Sequence, residues 1–148
     1  MKVCLCLHGL VGSMKGKHSQ SETSSKEVLE LAYKHNKEHI IDPYNADVFL
    51  HSWSTELEKE IVELYQPKRY KIEPQIQFEV PEYIKADKNR AFAHLSRWYS
   101  FKESIRCMDD YVYDMYQWLG DKTSAEYTHV IAQRFDLCWN VTPDFKEM

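Results

Sequence analysis

Glycine and proline are scarce in this chain of 148 residues, with four and five copies, about half the usual share. Collagen-like, linker-like and disordered chains are thereby excluded, and 14% aromatic residues supply material for a packed core. No stretch approaches the roughly 18 apolar residues of a membrane span. The apolar run after Met1-Lys2 is also too short for the core of a signal peptide, which needs roughly 7–15 residues. There is no C-x-x-C pair. Cys4 and Cys6 fall on one face of a strand, and Cys107 and Cys138 are distant, so a zinc ribbon or disulfide framework is not expected. A reducing, cytoplasmic setting follows. Excess positive charge is missing too: 19 Lys and Arg stand against 23 Asp and Glu, for a net charge of −4. The charges are spread along the chain, so no nucleic-acid partner is expected, although a small basic pocket is compatible with this balance. The length fits one domain.

The apolar run Val3 to Leu7, closed by His8-Gly9, predicts a buried strand. Gly9 to Ser25 reads as a polar loop. Ser24 with Glu27 forms a capping-box pattern for a helix running to about His39, ended by Asp42-Pro43. Ala46 to His51 predicts a second strand. Thr55 with Glu58 suggests another capping box, ahead of a helix carrying Leu57, Ile61, Leu64 and Tyr65. Arg69 to Glu73 alternates as a third strand, and Pro74 to Asp87 reads as loop. Leu95, Trp98, Ile105, Met108, Val112, Met115 and Leu119 mark one long helix from about Asn89 to Leu119, with Gly120 as its C-terminal cap. Tyr127 to Ala132 predicts the last strand, followed by Gln133-Arg134-Phe135-Asp136. The order β-α-β-α-β-α-β implies an α/β, Rossmann-like fold: a mostly parallel sheet with helices on both faces and one long helix before the last strand. Ligands of such sheets sit beyond the carboxyl ends of the strands.

Several local patterns compete for chemistry. His8-Gly9 after a strand is similar to the oxyanion-hole segment of α/β-hydrolases, but no G-x-S-x-G elbow accompanies it. Gly12 to Lys17 lacks the P-loop spacing, and position 18 is His instead of Ser or Thr; a looser phosphate-binding turn on Gly9 and Gly12 is compatible with it. A kinase- or sulfotransferase-type site using Gly9 to Lys17 is a third class of reading. His35 to His39 matches H-x-x-E-H, yet lies in a last helical turn where cations suit the helix end, and reads as solvated. Asp109, Asp110 and Asp114 read as a solvated face. Arg97, Lys102 and Arg106 sit among aromatics on the long helix, where one cation can meet phosphate. Arg134 and Asp136 follow the last strand, either as a functional pair or as an ion pair closing the strand end.

Taken together, the strand Lys2 to Gly9, the segment Asp47 to Trp53, Tyr65 to Lys68, Arg97 to Lys102 and Tyr127 to Leu137 resemble the polysaccharide-biosynthesis glycosyltransferases of bacteria and viruses. Those proteins have the GT-A, nucleotide-diphosphosugar-transferase fold. The resemblance spans nearly all of the chain in order, and implies a single domain over residues 1–148, the donor-binding N-terminal portion of such an enzyme. It implies a nucleoside-diphosphate sugar and a glycan or other acceptor as partners. It also places Arg134 and Asp136 where such enzymes carry a D-x-D motif, so that Asp136 would hold a divalent cation, Mn²⁺ or Mg²⁺, while Arg134 balances diphosphate charge. His8, Gly9, Gly12 and Trp53 would line the nucleotide-sugar site, and Lys102 would be a phosphate partner. No catalytic base is assignable. The competing reading is a non-catalytic α/β interaction module, self-associating through its aromatic-rich helix.

Overall fold

The computed structural model describes residues 1–12, 24–85, 87–120 and 126–145. The segment 13–23, which carries the loop and P-loop-like readings, lies outside the described residues. Strand β1 (Val3–Gly9) is followed by helix α1 (Ser25–Asn36), a π-helical turn (Lys37–Ile41) and a short helix α2 (Asp42–Tyr44). Strand β2 (Asp47–Ser52), a 3₁₀ turn (Thr55–Leu57), helix α3 (Glu58–Tyr65), strand β3 (Arg69–Ile72), the long helix α4 (Lys88–Leu119) and strand β4 (His129–Arg134) complete the fold.

All strand pairs are parallel, in the order β3-β2-β1-β4. The fold is thus the expected α/β type, with the first strand in the middle of the sheet. The period-two alternation of β1 sorts its side chains between two layers. Val3, Leu5 and Leu7 join Val48, Leu50, Leu29, Ile61 and Tyr65 under α1 and α3, whereas Cys4, Cys6 and Phe49 meet Cys107 of α4 on the other face.

The capping box of Ser24 and Glu27 forms as its spacing implies, each side chain bonding the other residue's N–H. The one expected at Thr55 and Glu58 does not. Trp53 N–H donates to Gly9 O and Ser54 Oγ accepts Val11 N–H, so tertiary bonds set the chain's exit from β2 and Thr55 opens a 3₁₀ turn. The first helix also runs past Asp42-Pro43. A π turn adds one residue just before the proline, Pro43 takes the first turn of α2 where no N–H is required, and Asn45 in left-handed conformation ends it.

The apolar stripe expected on α4 is only partly buried: Ile105 and Met108 pack against Cys4, Cys6 and Phe49, but the fully buried face is a neighbouring one. Ala91, Ser100, Glu103, Ser104 and Cys107 are buried, whereas Trp98 is 65% exposed and Leu119 48%. Small side chains let the helix approach a sheet face that is itself lined by cysteines. Strand β4 is shifted from Tyr127–Ala132 to His129–Arg134, because β1 extends to Gly9 and pairs with it as far as His8 opposite Arg134. His35 and His39 are half-buried instead of fully solvated: their Nδ1 atoms bond Trp139 O (2.8 Å) and Thr142 Oγ1 (3.1 Å) of the segment that follows β4. Asp114 pairs with Arg69.

Candidate functional site

The carboxyl ends of β1, β2 and β4 open into a cleft of about 980 Å³, closed on its other sides by the extended segment 75–80 and the first three turns of α4. Parallel strands and their crossover helices all deliver polar residues to this edge. Five of the seven residues expected at the site, His8, Gly9, Gly12, Trp53 and Arg134, line it. Asp136 does not. It receives Arg134 Nε on one carboxylate oxygen at 2.8 Å and the Nη2 group on the other. Lys102 is on another face of α4, beside Trp98, Phe101 and Ile105.

Charge distinguishes the lining. Lys88, Arg90, Arg97, Arg134, His8 and His94 line it, and among the described residues no Asp or Glu does, in a chain whose net charge is −4. Among the described residues Lys88, Arg90 and Arg97 have no ion-pair partner. Trp53, Phe78 and Phe92 form the aromatic part of the wall, with Trp53 stacked on Tyr99 at 5.4 Å between centroids and 24° between planes. The buried atoms Trp53 Nε1 and His8 Nδ1 lack hydrogen-bond partners among the described residues, and buried polar atoms are normally paired. Burial, with repulsion from Arg97, Arg134 and His51, pushes the pKa of His8 down to about 4. Its ring is therefore neutral at pH 7.

A buried relay supports the cleft from below. Gly9 N–H donates to Ser100 Oγ at 2.7 Å, and Ser100 Oγ lies 2.7 Å from His51 Nδ1. His51 Nε2 meets Glu73 Oε1 at 3.1 Å. The Glu73 carboxylate can only accept, so Nε2 carries the ring hydrogen and donates to it, and Nδ1 accepts a hydrogen bond from the Ser100 hydroxyl. Burial lowers the pKa of His51 against the opposing pull of Glu73. Glu73 loses solvation by burial, but hydrogen bonds from Lys71, His51 and Tyr99 more than compensate and hold its carboxyl below the ordinary range. Ser100 is fully buried and outside the cleft, so Ser100, His51 and Glu73 are a support for the Gly9 turn and not a nucleophile set.

The N–H groups of Gly9 and Val11 are taken by Ser100 and Ser54, so side chains supply the accessible positive charge. A resident divalent cation does not fit the donor set: both Asp136 oxygens hold Arg134, and no three His, Cys, Asp or Glu cluster suitably among the described residues.

Arg97 and the cations at the start of α4 are the main residues that sequence reasoning passed over in favour of Lys102. A signal for them exists. A helix following a parallel strand starts at the carboxyl edge, so its first turns face the site, and residue 102 is turned about 140° round the helix from residue 97. Among the described residues no helix is long and apolar enough to cross a membrane. No protein-family model matches the chain, and no curated protein or solved structure matches it either.

Proposed function

We propose that the cleft is the donor site of a glycosyltransferase of glycan assembly, binding a nucleoside-diphosphate sugar whose sugar passes to a glycan or other acceptor. The observation that supports this reading is the cationic lining, free of carboxylates among the described residues, beside an aromatic wall, at the strand edge where such folds take ligands. A diphosphate answers the charge, and a nucleobase answers the aromatic surface. In sugar transfer the departing diphosphate gains negative charge, and guanidiniums already aimed at it would stabilise that charge. The resemblance of the segments around Gly9, Trp53, Lys102 and Asp136 to polysaccharide-biosynthesis enzymes points the same way.

The test is a thermal-shift panel of UDP-, GDP-, CDP- and ADP-sugars on the intact chain. One nucleotide family should raise the melting temperature by roughly 5–10 °C near a hundredfold excess over its dissociation constant. The matching free nucleoside diphosphate should compete. A cooperatively melting chain that none of the four shifts would end this reading.

A second reading, self-association, has one observation of its own: Trp98, Tyr113, Tyr116 and Trp118 of α4 are exposed, Trp118 to 84%. Sedimentation of the wild type against a Trp118→Ser, Tyr113→Ser double variant tests it, and a wild-type monomer at high concentration would remove it.

A further inference from the structure

We infer that the cleft grips the phosphates of its ligand without a divalent cation, between Arg97 of α4 and Arg134 of β4 beside His8, and that Asp136 serves to hold Arg134. This rests on the donor-site reading above and specifies how that site meets charge.

Three independent features carry it. The carboxylate of Asp136 is spent: it accepts Arg134 in a two-pronged pair, which fixes the guanidinium plane and leaves its remaining N–H groups for a ligand. Among the described residues no carboxylate lines the cleft to share a metal with it. The backbone amides of Gly9 and Val11 are already bonded to Ser100 and Ser54, so these two cannot take the place of the side chains at a phosphate.

Among those side chains, Arg97 has no carboxylate partner among the described residues, and Lys88 and Arg90 at the same wall have none either. Arg134 stands opposite His8 in the β1–β4 ladder, and both Arg97 and Arg134 are near enough to His8 to disfavour its protonation. With Arg134 paired to Asp136, the net positive charge at this wall comes from Arg97 together with Lys88 and Arg90, while Arg134 offers its remaining N–H groups. An Arg held by Asp is also already oriented, so little side-chain freedom is lost when it meets phosphate.

Isothermal titration of UDP, GDP, CDP and ADP into the intact chain, in EDTA and in Mn²⁺, decides the matter. The nucleoside diphosphate that binds should do so equally in both buffers, within about threefold, and Arg97→Ala and Arg134→Ala should each weaken it about tenfold or more. Lys102→Ala should leave it unchanged. Asp136→Asn should weaken binding to the same degree in both buffers, since its action runs through Arg134; a metal ligand would lose affinity in Mn²⁺ alone. Melting curves verify that each variant is folded, and Arg97, being exposed, gives a reading free of core damage. A gain of more than threefold with Mn²⁺, or full affinity in the Arg97 and Arg134 variants, overturns the inference while leaving the donor site intact. Failure of all four nucleotides in both buffers removes the donor site itself.

Discussion

The hydroxyl of Ser100, midway along the longest helix, accepts the amide N–H of Gly9 at 2.7 Å and so ties α4 to the turn that ends β1. Gly9 has a φ of +99°, and Ser52 Oγ donates to its carbonyl at 2.9 Å. The turn is thus held on both sides of its peptide, and its shape depends on a helix almost a hundred residues away.

Ser100→Ala should therefore destabilise the fold by about 1–3 kcal/mol, because it strands a buried N–H and the Nδ1 of His51 together. Urea denaturation measures the loss. Amide exchange should accelerate at Gly9 more than at Leu5, which the ladder protects on both sides. Equal acceleration at the two positions would show that the bond does not act locally.

Acid should weaken the fold through His8. Its folded pKa of about 4 lies below the unfolded value of 6.5, so the unfolded chain takes up the proton first. The stabilisation is complete above pH 6.5 and is lost as pH falls towards 4, by at most about 3 kcal/mol. His51 acts in the same direction. The melting temperature should fall steadily from pH 7 to pH 4.5, and His8→Phe should flatten that decline. An unchanged slope in the variant would assign the acid sensitivity elsewhere.

Gly12→Ala and Gly120→Ala form a controlled pair. Both glycines have left-handed φ, +80° and +69°, but a Cβ at Gly12 would lie 2.9 Å from Ser25 Oγ and 3.3 Å from Ser25 Cα, while one at Gly120 meets nothing within 4 Å. Each should lose about 1–2 kcal/mol to the backbone conformation, with a further loss at Gly12 as Ser25 is displaced from the start of α1. Chemical denaturation of both variants gives the difference directly, and equal losses would mean that Ser25 yields at no cost.

A second buried chain joins three elements and the C-terminal segment. Asn36 Nδ2 donates to Tyr65 Oη at 3.1 Å, Gln133 Nε2 donates to Asn36 Oδ1 at 2.7 Å, and Trp139 Nε1 donates to Gln133 Oε1 at 2.6 Å. Asn36→Ala should cost about 2–4 kcal/mol, whereas Tyr65→Phe, which removes one end only, should cost about 1 kcal/mol. A double-mutant cycle of Asn36 with Gln133 should show a coupling above about 0.5 kcal/mol. Additive losses would separate the two residues energetically.

Strands and helix spans were readable in this sequence wherever one local rule dominates. Val3 to Leu7 is an apolar run that only a buried strand satisfies, and Ser24 with Glu27 closes its capping box in the structure. Thr55 with Glu58 has the same spacing and a different outcome, because bonds from Trp53 and Val11 set the path before the helix begins. Asn36, Ser100 and Glu103 were illegible as core, since polar residues become buried only when their partners are brought in from other elements. At the cleft, His8, Gly9, Trp53 and Arg134 were legible from their place at strand ends. Arg97 and Lys102 looked alike in sequence, and only the helix's rotation against the sheet tells them apart.

The place of β1 has a consequence for how the chain acquires its fold. Strand β1, the first of the four in sequence, occupies the sheet's interior, and its neighbour β4 pairs Val3 with His129, 126 residues later in synthesis. The β1–α1–β2–α3–β3 half can assemble from nearby segments, with one side of β1 standing open until residues 129–134 arrive. Closing so long a loop slows folding more than it costs stability. The cleft cannot form before then, since Arg134, the residue that stands opposite His8, ends β4, the last in sequence of the four described strands.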